Sequence, residues 1–143
     1  MVIETARPTD LPEVHALLER SHLPLDGVDE HVHTMVVARD NATVVGTAAL
    51  ELYADGALLR SVAVDPAFQG RTLGRQLTEA ALRMARARGV ETVFLLTTTA
   101  ERFFPKFGFE PVTRADVPAS VKESVEFRAA CPQTAVVMRR QLV

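Results

Sequence analysis

The sequence predicts an α/β fold of the α+β kind, with one mixed, mostly antiparallel sheet of six or seven strands flanked by about four helices. Residues 35–53 form two apolar runs around the turn dipeptide Asp40-Asn41, which indicates an antiparallel hairpin. A third apolar run follows at residues 57–64. An apolar pattern of helical period at residues 73–85 then leads to a further apolar run at residues 90–96. Because a helical crossover joins these last two strands, we expect them to be parallel.

Shorter segments complete the predicted sheet and its covering helices. Residues 2–6 form a first strand, which ends before Arg7-Pro8 because the residue before a proline avoids the helical conformation. Asp10 and Glu13 have the spacing of a capping box and predict a helix that runs to about Ser21. The remaining predicted elements are short helices at residues 28–34 and 99–107, strands at residues 109–114 and 135–142, and a short helix or ordered loop at residues 118–127.

Composition favours one globular domain over residues 1–143. Hydrophobic residues make up 48% of the chain and charged residues 24%, which is typical of a chain that buries its own core. Cys131 is the only cysteine, so we expect no internal disulfide and no bound metal. The formal net charge of −2 gives no general attraction to nucleic acid or anionic membranes. Without a signal peptide or a long apolar run, we expect a cytoplasmic protein with no membrane or nucleic-acid partner.

The segment at residues 65–75 is the most informative part of the sequence for function. It joins an apolar strand to the start of a helix, and Gly70 and Gly74 let backbone N–H groups converge there. Arg71 and Arg75 add positive charge beside them. The segment therefore predicts a pyrophosphate site, with an ordinary strand-to-helix loop as the alternative. Its spacing fits neither the Gly-x-Gly-x-x-Gly dinucleotide motif nor a Gly-Lys-Ser/Thr phosphate loop.

Residues 62–74 resemble the acetyl-CoA signature of the GNAT superfamily of N-acetyltransferases, which is Gln/Arg-x-x-Gly-x-Gly/Ala at a strand-loop-helix junction. Gln69 and Gly74 match this signature, whereas Thr72 stands where the middle glycine usually lies. Residues 96–109, with a helix that ends in Gly-Phe, extend the resemblance. Together with the tail at residues 126–138, they are similar to the acetyltransferase domain of N-acetylglutamate synthase and to small acetyltransferases linked to arsenic-resistance operons.

The resemblance implies that the fourth and fifth strands splay apart and that acetyl-CoA lies in the gap. The backbone of the fourth strand would bind pantetheine, and a backbone N–H near Val62 would polarise the thioester carbonyl. The N–H groups of the loop would hold the pyrophosphate. The residues expected to contact acetyl-CoA are Val62, Ala63, Val64, Gln69, Gly70, Arg71, Thr72, Leu73, Gly74, Arg75 and Phe104.

The resemblance also implies an acetyl-CoA-dependent N-acetyltransferase in which an amine attacks the thioester directly. The expected acceptor is a small amino acid or a similar compound, and the chain could assemble as a homodimer. Many relatives place a tyrosine that protonates the leaving thiolate four residues before the glycine of Gly-Phe. Here that residue is Phe104. A non-catalytic acetyl-CoA sensor is therefore the alternative function.

Polar residues on the central strands are the candidates for catalysis and acceptor binding. Glu51 is a candidate base, with a solvent-facing strand residue as the alternative, and Tyr53 is the only tyrosine that could serve as an acid. Arg60 interrupts an apolar strand, so it should either pair with Glu51 or bind a substrate carboxylate. Ser61 and Thr98 are further candidates for acceptor binding. Surface positions are expected for His22, His31 and His33.

Overall fold

The computed structural model of the protein describes residues 1–70, 72–98, 100–124 and 135–142. These residues form one sheet of seven strands: β1 (Val2–Thr5), β2 (Met35–Asp40), β3 (Thr43–Tyr53), β4 (Gly56–Val64), β5 (Thr92–Thr97), β6 (Glu110–Val112) and β7 (Val136–Gln141). The strands lie in the order β1-β2-β3-β4-β5-β7-β6. The β4–β5 pair is parallel and the other neighbouring strands are antiparallel. The predicted mixed, mostly antiparallel sheet is confirmed.

Three α-helices lie within the described residues: α1 (Leu11–Arg20), α2 (Leu73–Ala87) and α3 (Ala119–Lys122). The helix predicted at residues 28–34 is instead a 3₁₀ segment, Asp29–Thr34, and it is interrupted at His31, whose φ of −114° is not helical. Of the helix predicted at residues 99–107, the described residues form only a 3₁₀ segment, Phe104–Phe107, with Pro105 in its first turn. Residues 125–127 of the last predicted helix lie outside the described residues.

The sheet opens between β4 and β5. Within the described residues these strands pair at two positions, Ala57 with Val93 and Leu58 with Phe94, and no further register continues toward their C-terminal ends. A β-bulge lies on the other side of β4, in its pairing with β3. Ser61 and an adjacent residue of β4 face a single residue of β3, and Ser61 has a φ of +57°. The splay expected between the fourth and fifth strands is thus present.

Each face of the sheet carries its own buried core. Ala49 and Leu50 are successive residues of β3, and they belong to different buried clusters because alternate strand residues point to opposite faces. Leu50 lies with α2, whose Leu77 packs directly over Gly46, where an added Cβ would lie 2.6 Å from the leucine Cδ1. Ala49 lies with α1. The buried residues of α1 are Val14, Leu17 and Leu18.

The predicted capping box at the start of α1 is wrong. The Asp10 carboxylate accepts hydrogen bonds from the Arg39 guanidinium, with Nη1 at 2.8 Å and Nη2 at 2.7 Å, and from the backbone N–H of Arg7 at 2.8 Å. Glu13 instead accepts the backbone N–H of Val44 at 3.0 Å. A guanidinium offers two parallel donors to a carboxylate. The Asp10 side chain therefore binds the half-buried Arg39 instead of capping the helix.

Candidate active site

A cleft of about 530 Å³ occupies the opening between β4 and β5. One wall is the C-terminal half of β4, and the facing wall is the end of β5 with Phe103 and Phe104. The start of α2 and the loop before it close one end. Every described residue that was expected to contact acetyl-CoA lines this cleft: Val62, Ala63, Val64, Gln69, Gly70, Thr72, Leu73, Gly74, Arg75 and Phe104. Arg71 was also expected there and lies outside the described residues.

The loop between β4 and α2 is held by its own side chains. The Asp65 carboxylate accepts the backbone N–H of Ala67 at 3.0 Å and pairs with Arg20 at 3.1 Å. The Gln69 side-chain amide donates to the Val64 carbonyl at 3.1 Å. These contacts hold the first part of the loop, from Val64 to Gln69, without a ligand.

Thr72 adopts the backbone conformation that glycine usually provides. It has φ +62° and ψ +8°, and it immediately precedes α2, while Gly70 has φ +80°. A β-branched residue in this left-handed region is strained, at a cost of about 1–2 kcal/mol. The substitution of threonine for the usual glycine has therefore left this backbone turn in place.

Gly74 allows the first turn of α2 to come close to the opposite wall of the cleft. A Cβ at this position would lie 3.4 Å from Cζ of Phe103 and 3.8 Å from Cγ2 of Val64. The N-terminal N–H groups of a helix attract anions, and here they begin at the cleft. A larger side chain at Gly74 would fill the space between helix and aromatic wall.

Glu51 and Arg60 form a buried ion pair beside the cleft. Arg60 Nη1 lies 2.7 Å from Glu51 Oε2, and the two residues are 3% and 1% exposed. The same guanidinium also donates to the carbonyls of Asp26 at 2.6 Å and Pro24 at 3.1 Å, and its Nε donates to Ser61 Oγ at 3.2 Å. The expected pairing of Arg60 with Glu51 is therefore observed. The solvent-facing alternative for Glu51 is wrong, because the strand face that carries it is covered.

Tyr53 does not reach the cleft. Its hydroxyl donates to Glu51 Oε1, and its register partner is Gly56, at the far end of β4 from Val64. Burial, and then the hydrogen bond to the Glu51 carboxylate, raise the pKa of Tyr53 well above its ordinary value. Tyr53 therefore stays protonated, and Phe104 occupies the cleft wall where relatives are expected to place a tyrosine.

The structure confirms some of the other expected positions and corrects the rest. Thr98 is exposed and does not line the cleft, whereas Thr97 does, and Thr97 Oγ1 accepts the backbone N–H of Ala100 at 2.9 Å. His22 and His33 are exposed as expected, but His31 is half-buried with its Nε2 3.7 Å from Glu51 Oε1. Cys131 lies outside the described residues.

Sequence reasoning missed part of the cleft lining. Leu23, Phe68 and Lys106 also line the cleft. Phe68 and Lys106 lie in the two segments that carry the resemblance but at none of the matched positions, and Leu23 lies in neither segment. In the part of the chain that the structure describes, no group of three or more His, Cys, Asp or Glu side chains is placed to hold a metal ion. No described helix combines the length and the apolar character needed to cross a membrane.

The comparison with known proteins agrees with this geometry. Residues 31–111 match the family described as the acetyltransferase (GNAT) domain. The chain belongs to the GNAT acetyltransferase family. The expected N-acetyltransferase activity, with acetyl-CoA as the acyl donor, is confirmed at the level of this family.

Individual relatives make the similarity more specific. The chain is 33% identical over 133 residues to a protein named amino-acid acetyltransferase from Mycobacterium tuberculosis, over 84% of this chain and 74% of that protein. Rv2747 from Mycobacterium tuberculosis, in complex with CoA and a further ligand, is 27% identical with a TM-score of 0.85 over 100% of both chains. N-acetylglutamate synthase from Neisseria gonorrhoeae, in complex with coenzyme A and N-acetyl-glutamate, shares the fold with a TM-score of 0.85 and 22% identity, over 99% of this chain and 35% of that chain.

The chain is shorter than many proteins that it resembles. It spans 28% of the length of several longer proteins named amino-acid acetyltransferase. The similarity to N-acetylglutamate synthase is confirmed as a similarity of fold. The link to arsenic-resistance operons, the homodimer and the cytoplasmic location stay predictions.

Proposed function

We propose that residues 1–143 form a single-domain N-acetyltransferase that moves the acetyl group of acetyl-CoA to the amino group of a small amino acid or a similar compound. The observation that carries this proposal is the cleft between β4 and β5, which joins an unpaired strand edge to the loop at the N-terminus of α2. The acceptor class is supported by relatives that are named amino-acid acetyltransferases.

On the donor side, the edge of β4 is available for an extended ligand. Because β5 pairs with β4 only near Ala57 and Leu58 in the described residues, the backbone groups of Val62 and Val64 face the opening. An extended pantetheine arm pairs with such an edge as an added strand does. The pyrophosphate then reaches the N–H groups at residues 70–74, with Gln69 and the exposed Arg75 beside them.

The acyl-transfer step needs a polarised carbonyl, a free amine and a leaving thiolate. Acetyl-CoA supplies the activated acyl group as a thioester. The bulge at Ser61 breaks the regular ladder with β3, and we assign the Val62 N–H as the donor to the thioester oxygen. The amine nitrogen bonds to the carbonyl carbon, the C–S bond breaks, and solvent takes the ammonium proton and protonates the thiolate. This use of solvent follows from the lack of a tyrosine in the described lining of the cleft.

On the acceptor side, Arg60 acts as a positioning residue. Its guanidinium holds the carbonyls of Pro24 and Asp26, and the neighbouring Leu23 lines the cleft. The Glu51 carboxylate neutralises this buried cation. The loop at residues 23–26 thus forms a fixed wall of the acceptor space, and Ser61 lines the same space from β4.

A thiol-release assay over a panel of amino acids tests the proposal. We expect acetyl-CoA-dependent thiol release with at least one amino acid, and loss of that release in Gly74→Glu. Gly74→Ala is the matched control, because its Cβ meets the aromatic wall only at ordinary contact distance. Acetyl-CoA binding without release for any amine would instead support the non-catalytic sensor, an alternative that the missing tyrosine favours.

A further inference from the structure

A second concave surface lies outside the cleft, between α2 and the segment that leads into β6. This groove encloses about 430 Å³ and is lined by Arg83 and Arg86 of α2, Lys106, Arg140 of β7 and a single carboxylate, Glu79. Four cations therefore face one anion, on a chain whose formal net charge is −2. A concave surface lined by cations attracts anions from the solvent.

Three of the four cations of this groove take no part in ion pairs between described residues. Among the described residues, Arg83, Arg86 and Lys106 have no ion pair, although Glu79 lies one helical turn before Arg83. All three side chains belong to exposed residues, so their charges reach the solvent.

Arg140 is fixed at the base of the groove. Its Nη1 donates to the Phe107 carbonyl, and its side chain packs against Gly108, where an added Cβ would lie 3.3 Å from Nε. Gly108 has φ +82°, so the chain turns sharply at this contact. One cation of the groove is thus held in place before a ligand binds, which lowers the entropy cost of binding.

We propose that this groove binds a phosphate group. A phosphate monoester carries between one and two negative charges near neutral pH and offers several acceptor oxygens, which matches several cations better than a single carboxylate does. Arginine is suited to this role because its planar guanidinium forms paired hydrogen bonds to phosphate. Lys106 lines both this groove and the cleft, so the two sites adjoin.

The phosphate has two chemical sources. One is the 3′-phosphate of a CoA molecule whose pyrophosphate lies at the loop before α2, and this source rests on the proposed function. The other is a separate phosphate-bearing molecule that binds beside the cleft. Two probes separate these sources. Dephospho-CoA lacks the 3′-phosphate of CoA, and inorganic pyrophosphate is a phosphate compound that carries no nucleotide.

Calorimetric titration of the double variant Arg83→Gln/Arg86→Gln tests the proposal, with CoA, dephospho-CoA and inorganic pyrophosphate as probes. Pyrophosphate is added both to the free protein and to protein saturated with CoA, whose 3′-phosphate would already fill the groove if the first source is correct. Arg88→Gln is the matched control, because Arg88 is an exposed cation at the end of the same helix and does not line the groove. The thermal unfolding midpoint of each variant shows that the fold is kept.

We expect the double variant to lose about tenfold in affinity for one phosphate probe, relative to wild type and to Arg88→Gln. A loss for CoA but not for dephospho-CoA assigns the groove to the 3′-phosphate. A loss for pyrophosphate on the CoA-saturated protein assigns it to a separate molecule. Unchanged affinity for all three probes, or an equal loss in Arg88→Gln, overturns the proposal. Failure of wild type to bind CoA would count against the proposed function alone, because the pyrophosphate titration still tests the groove.

Discussion

Arg60 on β4 and Glu51 on β3 meet diagonally across the central hairpin, with Nη1 of the arginine 2.7 Å from Oε2 of the glutamate. In the strand register Arg60 stands opposite Ala49, two residues from Glu51, a spacing that long side chains bridge. The pair therefore connects the strand that carries the proposed pantetheine edge with the loop carbonyls of Pro24 and Asp26. Arg60 thus holds the loop at residues 24–26 against β4, and Glu51 neutralises its buried positive charge.

Arg60→Gln is expected to lower the free energy of unfolding by about 3–5 kcal/mol, because it leaves the buried Glu51 carboxylate without its cation. Urea denaturation measures this loss. Arg20→Gln is the control, since its pair with Asp65 is half exposed and should contribute about 0–1 kcal/mol. A small stability loss for Arg60→Gln, combined with a raised KM for the amine and an unchanged KM for acetyl-CoA, would show instead that Arg60 binds the substrate.

Tyr53→Phe should lower kcat by less than about 100-fold, the low end for removal of a positioned general acid. Its hydroxyl donates to Glu51, and its register partner is Gly56, at the end of β4 away from the cleft. Its raised pKa also means that no ionisation of Tyr53 should appear in the pH profile of kcat/KM near neutral pH. Steady-state kinetics across pH measure both quantities. A larger loss of kcat with intact acetyl-CoA binding would identify Tyr53 as the acid.

Thr72→Gly should raise the free energy of unfolding by up to about 1 kcal/mol. The change removes the strain of a left-handed threonine backbone, and this gain is larger than the entropy cost of ordering a glycine on folding. Thr98→Gly is a matched control, since Thr98 is exposed and is not among the described residues with positive φ. That control should lose about 0.5–1 kcal/mol. Thermal unfolding compares the two variants, and equal destabilisation of both would contradict the strain at Thr72.

The Asp10–Arg39 pair should make stability depend on pH in the acid range. Hydrogen bonds from the Arg39 guanidinium hold the pKa of Asp10 below its ordinary value of 3.8. The folded protein therefore binds this proton less readily than the unfolded chain. The stabilisation is complete above pH 3.8 and is lost as the pH falls through the lower folded value. Asp10→Asn should show a smaller fall in urea midpoint between about pH 6 and pH 3 than wild type. The same fall in both proteins would disprove this linkage.

Periodicity predicted the strands and α2 because these elements bury one face or both, and burial leaves a regular apolar pattern. The loop at residues 65–75 was also predictable, since its glycines and arginines stand together in the sequence. The bulge at Ser61 was not predictable, because neither its serine nor its neighbours favour positive φ. Its position depends on how β3 and β4 pair, which is a property of the folded sheet.

The contacts of the polar residues were harder to predict, because many of their partners lie far away in the sequence. The pairing of Arg60 with Glu51 was foreseen as one of two alternatives, because both lie on neighbouring strands of a predicted hairpin. Its contacts with Pro24 and Asp26 could not be foreseen, since they are backbone carbonyls of a loop 36 and 34 positions away, respectively. Asp10 was misassigned for the same reason: its partner Arg39 is 29 residues distant, whereas the capping pattern is local.

Calorimetric titration of acetyl-CoA into Gly74→Glu and Gly74→Ala tests the central claim, that the loop and the start of α2 hold the donor. Glutamate places a negative charge and a long side chain where helix N–H groups and the Phe103 wall leave little room. The account predicts a loss of about 100-fold or more in affinity for Gly74→Glu and a change within about threefold for Gly74→Ala, with both variants folded. Wild-type affinity in Gly74→Glu would contradict the assignment of this cleft as the acetyl-CoA site.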